Sequence, residues 1–343
     1  MKPERIVVVA PNWLGDAVMA LPALADLRRH FVDAHLAIAA RPAVSPMFAM
    51  VQGVDALVTL PGGGGWRSIS GWQADAAALR PGAFDVALLL PNSFATALIA
   101  SKAGISERWG FATDWRGRLL TRAIAKPKGL THQSAYYQAL TSALGIDAGP
   151  AHAEIRPSAE RARELMVDIG LDPDDRFVVF APGAAYGRAK QWLPERFAEL
   201  AELLINDRGW SVVMVGSNAD RSTCAEIEAR MPSTGTRLNR LIDVSGRTDL
   251  QMLAGLLARA HAVVTNDSGA MHLAGAVGAR VIALFGATNE HRTSPLRASA
   301  AAPMPAIMTH EVFCRPCMLR ECPIDHRCMR GISARAVYEV LRA

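Results

Sequence analysis

Ile6-Val7-Val8-Val9-Ala10, running into Pro11-Asn12-Trp13-Leu14-Gly15-Asp16, is the stretch that decides the fold. An unbroken apolar run of this length suits a strand covered on both faces, as in a parallel sheet layered by helices. Beyond the turn, Val18, Met19, Leu21, Leu24, Leu27 and Phe31 follow a helical pattern. Further short apolar runs lie at 36–39, 56–60 and 85–90, separated by polar or helical segments. The first half therefore reads as βα units. The second half repeats the plan. Phe177-Val178-Val179-Phe180-Ala181 leads into Pro182-Gly183, an amphipathic helix spans 193–204, and strands are expected at 211–215, 241–244, 262–265 and 280–285. Between the halves, 145–175 carries Pro150, Pro157 and Pro173, and the domain boundary is placed there. The expectation is an α/β chain of two Rossmann-like domains, residues 1–155 and 170–343, whose parallel sheets face a central cleft.

The chain has 343 residues, and at roughly 150 residues per domain that length agrees with two. Half the residues are hydrophobic and 20% charged, which excludes a disordered or collagen-like chain. The net charge of +5 suits an anionic partner without identifying one. The longest uncharged apolar stretch, 86–101, is broken by Pro91, Asn92 and Ser93 and is too short to span a bilayer. Lys2 and Arg5 precede an apolar run, but Glu4 and Asp16 flank it, so it reads as strand, turn and helix and not as an export signal. Four of the five cysteines crowd between Cys314 and Cys328, unlike a secreted disulfide framework. A cytoplasmic location is expected. The glycines 62–65 beside Trp66 read as a solvated connection, with a lid over the cleft as the alternative.

Several clusters carry chemistry. Asp16 follows the first strand, where open α/β sheets place ligands, and reads either as a helix cap or as a general base. The stretch 182–192 has two glycines, Arg188 and Lys190. It suits a loop that holds phosphate but lacks the Walker ending, and it reads equally as a solvated basic loop. Asp267-Ser268-Gly269 opens a small-residue helix whose N–H groups can meet a phosphate, with His272 on the first turns. The plainer reading is capping by Asp267 and a packed His272. From 102 to 128 seven cations stand against Glu107 and Asp114, with Trp109, Phe111 and Trp115 interleaved. That tract suits an anionic acceptor, a nucleic acid or an ordinary solvated face. Cys314, Cys317, Cys322 and Cys328, with His326 among them, would suit a structural Zn²⁺, and equally reduced thiols or a local disulfide.

Taken together, Pro11 to Met19, Pro182 to Trp192 and Asp267 to His272 resemble the signatures of the bacterial ADP-heptose lipopolysaccharide heptosyltransferases of glycosyltransferase family 9, the type II branch above all. The cysteine segment resembles that branch too, and the match runs in order along essentially the whole chain. The resemblance implies a GT-B fold and an inverting transfer from ADP-L-glycero-β-D-manno-heptose to heptosyl-Kdo2-lipid A. It implies an acceptor-binding first domain, a donor-binding second domain, and a C-terminal helix packed back on the first. Asp16 takes the role of catalytic base and Lys190 that of the cation at the donor diphosphate. Gly15, Ala185, Tyr186, Asp220, Thr248, Asp267, Ser268, Gly269 and His272 fall at donor positions. Ala185 stands where relatives carry a hydroxyl, so a side-chain contact there becomes a backbone one or is lost. Asn12, Trp13, Arg116, Arg118 and Arg122 are assigned to the acceptor. No cofactor is implied for catalysis and no nucleic acid as partner; the inner leaflet of the membrane is the implied working surface. Three other readings fit parts of the pattern: a type I or III enzyme, a non-catalytic nucleotide-sugar binder, or a zinc-dependent nucleic-acid binder.

Overall fold

The computed structural model describes residues 3–62, 68–129, 131–172, 174–231 and 240–342. Beyond Gly62, the glycine run beside Trp66 lies outside the described residues. The chain divides into two compact units, Met1–Ala153 and Glu154–Ala343.

The first unit is built on β1 (Arg5–Val9), β2 (His35–Ala40), β3 (Ala56–Thr59), β4 (Val86–Leu89), β5 (Glu107–Phe111) and β6 (Arg122–Ile124), all parallel in the order β3-β2-β1-β4-β5-β6. Val7 and Val8 of β1 are fully buried, as expected of a strand covered on both faces. Chain order reverses between β1 and β4, paired through Ile6 and Val86, so a crevice opens beyond their carboxyl ends. The helical pattern after β1 is divided into two helices, Leu14–Met19 and Leu21–His30. Pro22 lacks an N–H and suits the first turn of a new helix better than the middle of an old one. Buried Asp26 on the second of these accepts bonds from Gln138 Nε2 and Gly149 N at 2.9 Å each, which fastens the helix Gln133–Ala143 beside it.

The second unit repeats the order: β7 (Phe177–Ala181), β8 (Ser211–Met214), β9 (Leu241–Asp243), β10 (Ala262–Asn266), β11 (Val281–Phe285) and β12 (Ala306–Thr309) form a parallel sheet in the order β12-β11-β10-β7-β8-β9. Its reversal lies between β7 and β10. The core holds Phe180, Phe197 and the fully buried Trp192, whose Nε1 donates to Ile332 O at 2.9 Å. The helix Ala159–Asp168 packs on Leu250–Arg259. The C-terminal helix Ala334–Arg342 buries Val337, Tyr338 and Leu341 in this same core, against the helix Pro194–Arg208 and β11. Its apolar face is therefore engaged within its own unit.

Candidate functional site

In the first unit the loop after β1 carries Asn12 and Trp13, both exposed, and leads straight into the helix that bears Gly15 and Asp16. The N-cap of that helix is Trp13, without a side-chain cap bond, and Asp16 is its third residue. The capping role considered for Asp16 is therefore not the one it has. Its carboxylate lies in the first turn, where the helix dipole favours negative charge. Burial, and next the Asp16 carboxylate, push the Tyr137 phenol well above the usual tyrosine range, which puts the two groups close together.

The basic tract does not form one face. Arg116 is fully buried. Its Nε donates to Phe111 O at 2.9 Å, and its Nη1 donates to Pro91 O and to Ser93 O, the latter at 3.4 Å. Burial pulls its pKa down to about 10, so it remains a cation at neutral pH. Arg116 is thus a brace between the loops that follow β4 and β5, and not a surface cation awaiting an acceptor. Arg122 begins β6, and its guanidinium lies 4.6 Å from the Trp109 ring centroid with Glu107 beside it. In the register of the sheet it stands opposite Trp109 of β5, at the amino end of β6. Arg118, Lys126 and Lys128 are exposed. Trp115 is 95% exposed and Asp114 precedes it; both have left-handed backbone, and Asp114 Oδ2 accepts from Phe94 N at 2.6 Å.

A cavity of about 340 Å³ opens at the carboxyl end of this sheet, lined by Asn12, Arg41, Leu60, Trp72, Ser93 and Thr96 among others. Arg41 holds the buried Asp75 through two contacts, Nη1 to Oδ1 at 2.9 Å and Nη2 to Oδ2 at 2.8 Å. Sequence reasoning missed both residues. Arg41 follows β2 and Asp75 lies on a helix 34 positions later, and no spacing rule joins them.

In the second unit the loops after β7 and β10 meet at the reversal. Lys190 Nζ is 2.7 Å from Asp267 Oδ2, and Thr288 Oγ1 donates to the same oxygen at 2.7 Å. Asn266 joins both loops, accepting from Trp192 N at 2.9 Å and donating to Pro182 O at 2.7 Å. Ser268 caps the helix Gly269–Ala276 without a side-chain cap bond. Asp267, spent on Lys190 and Thr288, is no cap either. Lys190 Nζ also lies 4.9 Å from the centroid of Tyr186. Ala185 beside it is exposed, and His272 is buried in the first turn of the helix. A Cβ on Gly183 would come within 2.2 Å of Asp220 Oδ1, so the loop passes directly over that carboxylate and requires glycine there. Thr248 sits in the next loop over, after β9, which is tied to the β8 loop by Gly246 N donating to Gly216 O at 2.8 Å. Of the expected donor residues all but Gly15, which stands on the first helix of the first unit, gather along one edge of one sheet. Such an array of N–H groups with a cation suits an anionic diphosphate.

Cys314, Cys317, Cys322, Cys328 and His326 line one cavity of about 20 Å³. All five cysteines are free, and among the described residues no three His, Cys, Asp or Glu side chains form a metal-binding group. Burial, with the three neighbouring thiols adding to it, pushes the Cys328 thiol up. Among the described residues no helix is long and apolar enough to cross a membrane.

Two parallel six-stranded sheets of the same strand order are the architecture of the GT-B glycosyltransferases, and the profile of glycosyltransferase family 9 (heptosyltransferase) matches residues 73–326. The chain belongs to that family, and its reaction is heptosyl transfer. It is 31% identical to lipopolysaccharide heptosyltransferase 2 of Salmonella typhimurium over 305 residues, 85% of each chain. It is 30% identical to lipooligosaccharide heptosyltransferase 2 of Haemophilus influenzae over 301 residues, 85% of this chain and 86% of that one. The structure of Escherichia coli ADP-heptose lipopolysaccharide heptosyltransferase II superposes with a TM-score of 0.83 at 26% identity, covering 98% of this chain and 97% of that one.

Proposed function

We propose that the chain transfers heptose from ADP-L-glycero-β-D-manno-heptose to heptosyl-Kdo2-lipid A during synthesis of the lipopolysaccharide inner core. The observation that carries this reading is the Lys190–Asp267 pair at the start of the helix Gly269–Ala276, on the reversal edge of the second sheet. Asp16 removes the proton from the acceptor hydroxyl, whose oxygen forms a bond to the anomeric carbon. The bond from that carbon to the diphosphate oxygen breaks, the configuration inverts, and ADP departs with the electron pair. Lys190 and the N–H groups at Ser268 and Gly269 meet the charge that grows on the leaving oxygen. Tyr186 and the backbone at Ala185 flank the diphosphate, Asp220 and Thr248 lie toward the nucleoside, and His272 supports the helix start from within. Asn12 and Trp13, with the cavity that Arg41 and Trp72 line, take the acceptor sugar. Exposed Arg118, Lys126 and Lys128 suit the phosphates of the acceptor and the anionic inner leaflet, which supports a working position at the cytoplasmic face of the membrane.

The deciding experiment incubates the protein with ADP-heptose and purified truncated acceptors and reads mass. Addition of one heptose to the heptosyl-Kdo2 acceptor is the expected result; addition only to an acceptor lacking the first heptose would replace this reading with a type I one. For the thiol cavity, a soft cation such as Zn²⁺ has the right ligand chemistry. One equivalent of zinc retained through chelation by the purified chain supports a structural site, and four rapidly reactive thiols without zinc reject it.

A further inference from the structure

Lys190 does not meet the donor as an unpaired charge. Its ammonium lies 2.7 Å from Asp267 Oδ2, so the pair is close to neutral before any phosphate arrives. A sugar nucleotide carries two anionic phosphates, and its diphosphate gains further charge when the sugar leaves. We propose that Arg320, on the cysteine-rich segment, is a second cation for that diphosphate. This proposal rests on the reading of the second unit as the donor site.

Two independent sets of contacts place Arg320 at the loop. Its guanidinium carbon is 5.3 Å from the Tyr186 ring centroid, and Lys190 Nζ is 4.9 Å from the same centroid, so one ring carries both cations. Its backbone is fastened to the loop as well. Ala189 N donates to Arg320 O at 2.9 Å, and a Cβ on Gly187 would come within 2.4 Å of that oxygen. On either side, Tyr186 Oη donates to Met318 O at 2.9 Å and His326 Nε2 lies 3.0 Å from Ala189 O. The cation therefore moves with the loop that holds Lys190.

The charges nearby separate Arg320 from the other arginines of the segment. Arg315 is held by Glu290 at 2.6 Å and by Glu311 at 2.8 Å, and Arg327 by Asp325 at 2.9 Å. Among the described residues no carboxylate pairs with Arg320, which is exposed. Its charge is available to a ligand, and a guanidinium can contact phosphate oxygens in pairs. Arg188 is the rival, being exposed on the loop itself, but among the described residues no aromatic ring holds it beside Lys190.

Calorimetry on the full chain with ADP and with adenosine tests the assignment. Arg320→Ala is expected to weaken ADP about tenfold, the scale of one charge-assisted hydrogen bond, and to leave adenosine unchanged. Arg320→Lys should recover part of the loss, and Arg188→Ala should cost less than Arg320→Ala. The proposal is overturned if an Arg320→Ala protein with wild-type melting binds ADP as the wild type does. It is overturned too if adenosine weakens equally, which would mean a displaced Tyr186 and not a missing charge, or if Arg188→Ala alone carries the effect. A wild-type protein that fails to bind ADP removes the donor reading and Arg320's role with it. One that binds ADP and transfers heptose while Arg320→Ala is unaltered removes the Arg320 assignment only.

Discussion

Asp16→Asn keeps the size and the helix turn but removes the base. It is expected to lower kcat by about 10²–10⁴ while ADP affinity stays at the wild-type value by calorimetry. A lower melting temperature with the rate spared would make the carboxylate structural. Lys190→Ala should slow turnover by roughly 10²–10³ and weaken ADP, measured in the same two assays. Both positions stood out as candidates in the sequence because each lies in the segment that follows a strand its own apolar run announces. The role of Arg116 was not legible there. What buries it is a set of carbonyls at Pro91, Ser93 and Phe111, up to 25 positions away, and nothing in the local pattern of charges reports them. Arg116→Met should therefore act on stability, by about 2–4 kcal/mol in urea unfolding, since it strands carbonyls that a cation now satisfies. A rise in acceptor KM with unchanged unfolding would restore the surface role first expected of it.

Nine of the twelve strands lie on the expected apolar runs; β12, Ala306–Thr309, is a further apolar run outside that set, and β5 and β6 show what such reading misses. β5 carries Glu107, Arg108 and Trp109, and β6 is three residues beginning with Arg122. Strands at or near a sheet's edge keep charged side chains that obscure their pattern, which in turn discourages pairing with other chains. The helix after β1 read as continuous because periodicity survives a break of one residue; only the backbone at Ala20 and Pro22 reveals two helices. At the start of β10, His261 packs on Trp210 with centroids 4.5 Å apart, and burial holds its pKa below the ordinary histidine value, helped by Arg176 and Arg280. With the folded pKa depressed, this contribution to stability is complete above the unfolded value of about 6.5 and is lost as pH falls through it. Melting temperature should accordingly drop as pH falls below about 6.5, and His261→Gln should flatten that drop. An unchanged slope in the variant would place the acid sensitivity elsewhere.

The two units share one strand order, each reversing at its first strand, and the proposed site residues of each follow the carboxyl ends of its strands. The sequence revealed the repetition because β1 and β7 each lie in an unbroken apolar run of five that leads straight into a proline, Pro11 in one unit and Pro182 in the other. The proposed division of labour between the units makes a distinct prediction for hydrogen exchange. ADP alone should slow exchange at 183–190 and 266–272 and leave 12–16 as it was. Protection that begins in the first unit instead would reverse the roles assigned to them. One detail of that unit also lends itself to spectroscopy. Trp115 is almost wholly in water, yet its neighbour Arg116 anchors the backbone, while Trp192 is fully sealed away. Its indole should emit at the red edge of tryptophan fluorescence and be readily quenched by iodide. A blue shift upon mixing with acceptor or vesicles that is lost in Trp115→Phe would thus be an optical readout of contact at that rim, separate from the exposed Trp13 and obtained without attaching any dye.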